Sequence, residues 1–388
     1  MYSSWATPPD FSPQRANPVD GSEGFVAGDE RATDNLQTRA GPRKGQNRGV
    51  RILVATDSIG PLSSRQAGEV IASGWSPAAE VTLLPIGEAG AGFVAAYADL
   101  AGLTTSSRVA DGLIVTTGRG PDTAVVQVLG PKAGPGIPYE QSSRAIGDAI
   151  ADVLHSRPLR RLMVDLAGLW VHDAGAGLLA ALGATADRPL DEGVARLEGL
   201  SELDLTPARA LLGEAELIGV VPASQLSQQL LGLRGITSRA GREAGVVPEL
   251  MLRTDASLEA FARRASAAHA ESPGAGTCGG LGFAVLALGG KLSTGPALAL
   301  GSVAGQEALR GVDLVVTGCS IFDFASRGGG VVAATAEAAA AALSPCIVIA
   351  GEVLIGSREM RTMGIEAGYP VHESLSETAR RVARSWSW

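Results

Sequence analysis

The sequence predicts an α/β protein built as two α/β domains: a discontinuous doubly wound parallel-sheet domain of Rossmann or flavodoxin type, with a second α/β domain inserted into it. Three observations carry this expectation. Apolar runs of strand length alternate with helical segments between Arg51 and Leu100, which is the grammar of a parallel sheet. The same grammar returns between Val312 and Gly351. The stretch between them opens differently, with β-like runs separated by Gly and Pro turns. Like ends around an unlike middle place the first domain at residues 50–103 and 296–388, and the inserted one at 104–295.

The elements follow in order. Residues 1–49 are rich in Pro, Gly, Asn and Asp, lack apolar periodicity, and read as a disordered tail. Ile52-Leu53-Val54-Ala55 is a buried parallel strand ending in Thr56-Asp57-Ser58. Ser63-Ser64-Arg65-Gln66 is a capping box, and Ala67, Val70 and Ile71 continue its apolar face toward Trp75. A strand at 81–84 leads into the loop Gly87–Gly92 and a helix from Phe93 to about Leu100. Leu113–Thr116 and Ala124–Val128 read as strands. A Ser-capped helix then presents Ile146, Ile150, Val153 and Leu154 on one face. Leu162–Leu166 is a strand, the segment after Gly177 a Leu/Ala helix, and Ser257–Ala270 a helix. The Gly-rich run Pro273–Gly282 opens another helix. Val312–Gly318 and Cys346–Gly351 are strands flanking an Ala-rich helix at 331–343.

Composition excludes several classes. With 45% hydrophobic residues over 388 positions the chain is too long and apolar to be wholly disordered. A net charge of −8, no dense basic run and 4% aromatic residues argue against a nucleic-acid surface. Cys278, Cys319 and Cys346 form no disulfide framework and match no zinc spacing, so reduced thiols and a cytoplasmic location are expected. No apolar signal segment opens the chain, and the uncharged stretch 273–290 holds too many glycines for a membrane span. No membrane partner is expected. Oligomeric state is not legible, and no metal ligand set can be named.

Some motifs match only as strings. Gly274-x-Gly276-x-x-Gly279 has the dinucleotide-binding spacing, but a helix and a Pro precede it where a strand is needed, and Glu307 is the first acid after it. Gly-rich packing or an anion-cradling helix start accounts for it better. Gly290-Lys291 lacks the earlier Gly and the following Ser or Thr of a phosphate loop. More informative are four loops that follow apolar strands and each carry an acid: Asp57, Glu88, Asp173 and Asp323. Such loops gather at the carboxyl ends of parallel strands, where ligands bind. Converging carboxylates suit magnesium-assisted phosphoryl transfer or a polar small-molecule site. Each acid taken singly is also a frequent helix cap. His172-Asp173 reads either as a general-base pair or as an ordinary loop histidine beside an acid.

Taken together, these segments resemble the bacterial type 1 glycerate kinases, which transfer phosphate from ATP to D-glycerate. The resemblance covers residues 51–385. Pro273–Gly282 looks like that family's PGAGAAGGLG segment, Asp173–Ala184 like its DGGAGMLQALGA helix start, Asp313–Gly318 like the strand of ADLVITGEG, and Asp57-Ser58 like the start of DSFKG. The departures fall on polar positions. Gly60 and Pro61 follow Ile59 where DSFKG has its lysine. Glu88–Phe93 replaces DGGEGT. Leu169, Trp170 and Val171 stand in GGSATNDGG where Ser, Ala and Thr are usual. No Asp occurs at 220–230 for CDVDNPL. GEGRID keeps its last Asp, at Asp323, but loses its Glu and Arg, and the lysine of GPQKG is Ala244.

The resemblance implies ATP and Mg2+ as cofactors and glycerate or a related hydroxy acid as the small-molecule substrate. It implies Asp173, with His172, as the base, and Asp57 and Asp323 as metal or substrate ligands. Ser58, Gly90, Gly92, Gly276, Gly279, Gly280 and Gly318 would hold the nucleotide, the Gly276–Gly280 amides receiving an anion. Each lost phosphate-stabilising group removes about 3–4 kcal/mol of transition-state stabilisation. The alternative is therefore a catalytically impaired relative that binds a small anion or a protein. A third reading, an NAD-dependent enzyme, rests only on the glycine string.

Overall fold

The computed structural model describes residues 49–90, 92–131, 134–324 and 329–386; the expected tail, Gly49 apart, lies outside them. Thirteen strands are described: β1 (Arg51–Val54), β2 (Glu80–Leu83), β3 (Thr104–Ala110), β4 (Leu113–Arg119), β5 (Thr123–Leu129), β6 (Arg161–Asp165), β7 (Thr185–Ala186), β8 (Leu203–Asp204), β9 (Glu216–Val220), β10 (Lys291–Ser293), β11 (Leu314–Phe322), β12 (Cys346–Val353) and β13 (Ile365–Pro370). They form a five-stranded sheet in the order β13-β12-β11-β1-β2, a six-stranded sheet in the order β10-β9-β6-β5-β4-β3, and the small β7–β8 pair.

The five-stranded sheet is parallel throughout. Its strands are apolar on both faces because both are covered. Ile52, Val54, Leu314, Val316, Ile347 and Ile349 pack on one side with Ile71 and Val382 from the helices Ser64–Ala72 and Leu375–Ser385. Leu53, Val315 and Val348 pack on the other with Val332 and Ala336 of the helix Gly329–Ala341. This is the doubly wound arrangement the sequence predicts. Chain order reverses between β1 and β11, so the loops after these two strands part at a topological switch point.

In the six-stranded sheet β10, β9, β6 and β5 are parallel, and β4 and β3 continue antiparallel. Alternation along the strands sorts its two faces. Ala124, Val126, Val128, Leu162 and Val164 join the larger core with helices Arg144–Ser156, Pro248–Ser266 and Thr277–Ala287. Val125, Met163, Ile218 and Val220 face the other way, onto Phe93 and Val94 of the helix Phe93–Ala101. That helix leaves the first domain and covers the second domain's sheet, so one short element serves both.

Two local expectations change. The capping box at Ser63 forms as read, the Ser63 hydroxyl accepting from Gln66 N and the Gln66 side chain from Ser63 N at 3.0 Å. Ser143 precedes the helix Arg144–Ser156 but does not cap it through its hydroxyl. The hydroxyl instead accepts from Leu178 N at 2.9 Å and donates to Asp173. The helix expected from Ser257 begins earlier, at Pro248, where Pro suits the first turn.

Gly147 lies where helix Arg144–Ser156 crosses helix Ala176–Ala181. A Cβ there would strike the Leu178 carbonyl oxygen and approach Ala181 Cβ at 2.7 Å. Gly→Ala in a helix ordinarily stabilises by about 1 kcal/mol. Here the sign should invert: Gly147→Ala should destabilise by about 2 kcal/mol through overpacking, read as a lower urea midpoint with an unchanged slope.

Candidate functional site

At the switch point, Asp57 follows β1. Its N–H donates to Gly318 O at 3.0 Å, which fixes the loop to β11. Its Oδ1 accepts from Ser58 N at 2.7 Å and lies over Gly92, where a Cβ would come within 3.4 Å. Burial raises the Asp57 carboxyl above its usual range, and the Ser58 hydrogen bonds oppose that. Ser320 ties the loop down, accepting from Gly60 N at 3.0 Å and donating to Ser58 O at 3.3 Å. Asp323 lies just beyond β11. Its charge and that of Asp57 both reach the buried Cys319 thiol, which burial above all pushes up to about 12.

Glu88 is the third acid of this neighbourhood. Its Oε1 accepts from Ala223 N, beyond β9, at 3.1 Å. Its Oε2 is buried against the Gly330 backbone at the start of helix Gly329–Ala341, without a hydrogen bond of normal geometry. A side chain at Gly330 would overlap this carboxylate. Burial raises the Glu88 carboxyl most, Ala223 N–H opposes it, and Asp57 raises it further.

Behind Glu88 the two domains are joined by a buried carboxylate. Asp165, at the carboxyl end of β6, is 0% exposed. Its Oδ2 accepts from Gly90 N at 2.8 Å and from Gln127 Nε2 at 2.7 Å, and its Oδ1 from Ala167 N at 3.0 Å. Gln127 Nε2 also donates to Gly90 O. Gly90 is thus held through both backbone groups, at a φ of +107° that favours glycine. Its observed task is to join the domains.

The expected His172–Asp173 pair does not form. Asp173 is fully buried and turned inward. Its Oδ2 accepts from Ser143 N and Ser143 Oγ, both at 2.8 Å, and from Gly177 N at 3.2 Å; its Oδ1 accepts from Gly175 N at 3.0 Å. Burial raises its carboxyl against these hydrogen bonds. With four donors satisfied, it anchors the start of helix Ala176–Ala181 and presents nothing to a substrate hydroxyl. His172 turns away, with Nε2 2.9 Å from Thr237 Oγ1, and burial lowers its pKa to about 4.

The glycine run also has another task than expected. Gly276 N donates to Gln228 O at 2.9 Å, Gly280 N to Gly276 O at 3.3 Å, and Cys278 N to Gln225 Oε1 at 2.9 Å. These amides are engaged within the protein. Glycine is required by close approach: at Gly279, with φ +70°, a Cβ would strike the Val171 carbonyl oxygen. Gly318 is likewise pressed against Ile349 O and the Thr56 hydroxyl.

The predicted residues therefore divide. Asp57, Ser58, Gly92, Gly318 and Asp323 gather around the switch point, with Glu88 beside them. His172, Gly276 and Gly279 line a separate cleft of about 780 Å³ that meets the acidic loop at Ala89. Asp173 and Gly280 lie behind its wall. The sequence reading did not single out Gln225, Gln228 or Arg239, which also line this cleft. The available signal was the basic helix around Arg239, read only for its missing lysine.

A sequence model of the glycerate kinase family matches residues 52–387. An uncharacterized protein of Mycobacterium tuberculosis is 31% identical over 367 residues, spanning 88% of this chain and 89% of that protein. The glycerate kinase of Bacillus subtilis is 26% identical over 379 residues, 87% of this chain and 97% of its own. A solved structure described as a glycerate kinase 2 from Salmonella typhimurium LT2 superposes with a TM-score of 0.73 at 23% identity, covering 87% of this chain and 98% of that one. The last is a likeness of fold.

The two buried groups titrate in opposite senses. Asp165 is raised from 3.8 to about 6, so its contribution to stability is present below 3.8 and lost as pH rises through 6. His172 is lowered from 6.5 to about 4, so its contribution is present above 6.5 and lost as pH falls through 4. Asp165→Asn should therefore be least damaging, relative to the parent chain, at pH 7 and most damaging at pH 4. His172→Gln should show the reverse order. Urea midpoints at pH 4, 5, 6 and 7 measure both, and a pH-independent gap for Asp165→Asn would contradict the assignment.

Proposed function

This chain belongs to the glycerate kinase family, and we propose that it is an ATP-dependent phosphotransferase acting on a hydroxyl of a small hydroxy acid, D-glycerate being the first to test. The observation that supports this reading best is the acidic pair at the switch point. Asp57 and Glu88 are both half-buried there, both are raised by burial, and the Asp57 charge raises Glu88 further.

Among the described residues no three His, Cys, Asp or Glu side chains converge to hold a metal alone. Magnesium needs less, being held by one or two carboxylates with waters and phosphate oxygens completing its six positions. Glu88 fits that donor set as its one carboxylate, which leaves Asp57 to the hydroxyl proton. Magnesium, when bound, neutralises charge on the transferring phosphate. The helix Phe93–Ala101 starts after Gly92 with no side-chain cap and no acid in its first turn, which suits phosphate oxygens on its leading amides.

Asp57 is the base in this reading, replacing Asp173. Its raised pKa suits proton acceptance nearer neutral pH. The substrate hydroxyl oxygen forms a bond to the γ-phosphorus as the bond to ADP breaks, and the hydroxyl proton passes to Asp57. Glu88 and Asp323 shape the local charge, and the Ser58 N–H holds the Asp57 carboxylate in place.

A second reading, a relative that binds an anion without turnover, has one observation in its favour. Lys291, the only lysine among the described residues, is tied to Glu216 at the amino ends of β9 and β10, away from the acidic loops. Purified protein with Mg-ATP should release ADP in a glycerate-dependent manner. Asp57→Asn should lower kcat by about 10²–10⁴. Asp173→Asn should lower the folded fraction and leave the rate per folded molecule nearly unchanged. Nucleotide binding with no ADP release on adding glycerate would favour the second reading.

A further inference from the structure

The cleft that meets the acidic loop at Ala89 offers more room than a three-carbon acid fills, and one aromatic side chain in its wall. Its volume of about 780 Å³ lies in the range of sites that take drug-sized ligands. A three-carbon acid would leave most of it to water. Trp170 and Leu169, standing where the family has Ala and Ser, form one wall. The Trp170 ring is half-buried and seated on Gly134, where a Cβ would come within 3.0 Å of it. Gly134 thus leaves the ring a place to lie against the backbone.

The opposite wall is the helix Ile236–Glu243, which contributes Arg239. Arg239 is the one Arg or Lys among the described lining residues. His172 adds no charge, because burial keeps it neutral at physiological pH. One Arg239 N–H goes to Gln228 Oε1, and Gln228 Nε2 is in turn held near Gln229 O and Arg234 O at 3.3 Å. The guanidinium is oriented and keeps further donors for a carboxylate. Glu243, one turn on, shares the wall and opposes anions that lie toward it. Ala244, in the place of the family's lysine, lines the same cleft. The cation has moved five positions back, about 7.5 Å along the helix axis.

We propose that this cleft selects 2-hydroxy acids bearing an aromatic side chain, with Arg239 binding the carboxylate and Trp170 and Leu169 packing against the ring. This rests on the phosphotransferase reading for the fate of the hydroxyl, but the selection itself is a matter of binding. Titration calorimetry of the full chain, without nucleotide, compares D-3-phenyllactate with D-glycerate. Phenyllactate should bind at least about tenfold tighter. Arg239→Gln should weaken both acids by about tenfold or more. Trp170→Ala, checked for folding by circular dichroism, should bring the two affinities together. Equal or tighter glycerate binding, no binding of either acid, or an Arg239→Gln chain that binds as before would each overturn the proposal. Glycerate-dependent ADP release without the phenyllactate preference would keep the phosphotransferase reading and reject this one. The preference without ADP release from either acid would do the opposite.

Discussion

The buried carboxylate of Asp165 holds the two sheets in working relation. It sits at the carboxyl end of β6, fully out of water, and its partners come from both domains: Gly90 from the loop after β2, Gln127 from β5, and Ala167 from its own chain turn. A buried ionisable group is costly unless its oxygens are satisfied, and removing one partner leaves that cost uncompensated. The hydrogen-bond set therefore fixes Gly90 at one place over the second sheet. From Gly90 the rest follows. Glu88 is set two residues before it, and the helix Phe93–Ala101 three residues after it, with Phe93 and Val94 packed on Val125 and Met163.

The acids of this protein separate by how their oxygens are used. Asp173 has four donors within 3.2 Å and no exposure, so it orders a helix start. Asp165 has three donors from two domains, so it joins them. Among the described residues, Asp57's carboxylate accepts only from Ser58, and it is half-buried at the switch point. A carboxylate that keeps unfilled acceptor capacity beside a cleft can take a proton or a cation; one whose lone pairs are filled cannot without local rearrangement.

Much of the fold was legible because the parallel strands are buried on both faces and read as unbroken apolar runs, as in Ile52–Ala55 and Cys346–Ala350. The missed strands lack that signature. β3 is Thr-Thr-Ser-Ser-Arg-Val-Ala on an exposed edge, and β13 carries Gly and Pro at the other sheet's edge. β9, although buried, contains Gly219, whose Cβ would crowd Leu166 and Leu292. The site was half legible for a different reason. Sequence places an acid after a strand but does not say which way its carboxylate turns. Asp57 and Asp323 therefore fall at the switch point, while Asp173 turns into the core. Ser143 shows the same limit, its hydroxyl serving helix Ala176–Ala181 in place of its own.

The cleft wall shows how a site can keep its backbone and change its electrostatics. Gly276, Gly279 and Gly280 are pinned by carbonyl oxygens and Cα atoms of facing segments, so their retention reports packing and says nothing about phosphate. The side chains lining the same cleft are under no such constraint. Burial removes charge from His172, Ala244 supplies none, and Arg239 with Glu243 gives a wall of one positive and one negative group. In a wall of near-zero net charge, long-range attraction for anions is weak. Recognition then depends on directed guanidinium hydrogen bonds and on apolar area. Trp170 provides that area, so affinity in this cleft should grow with the size of the ligand's apolar group more than with its charge.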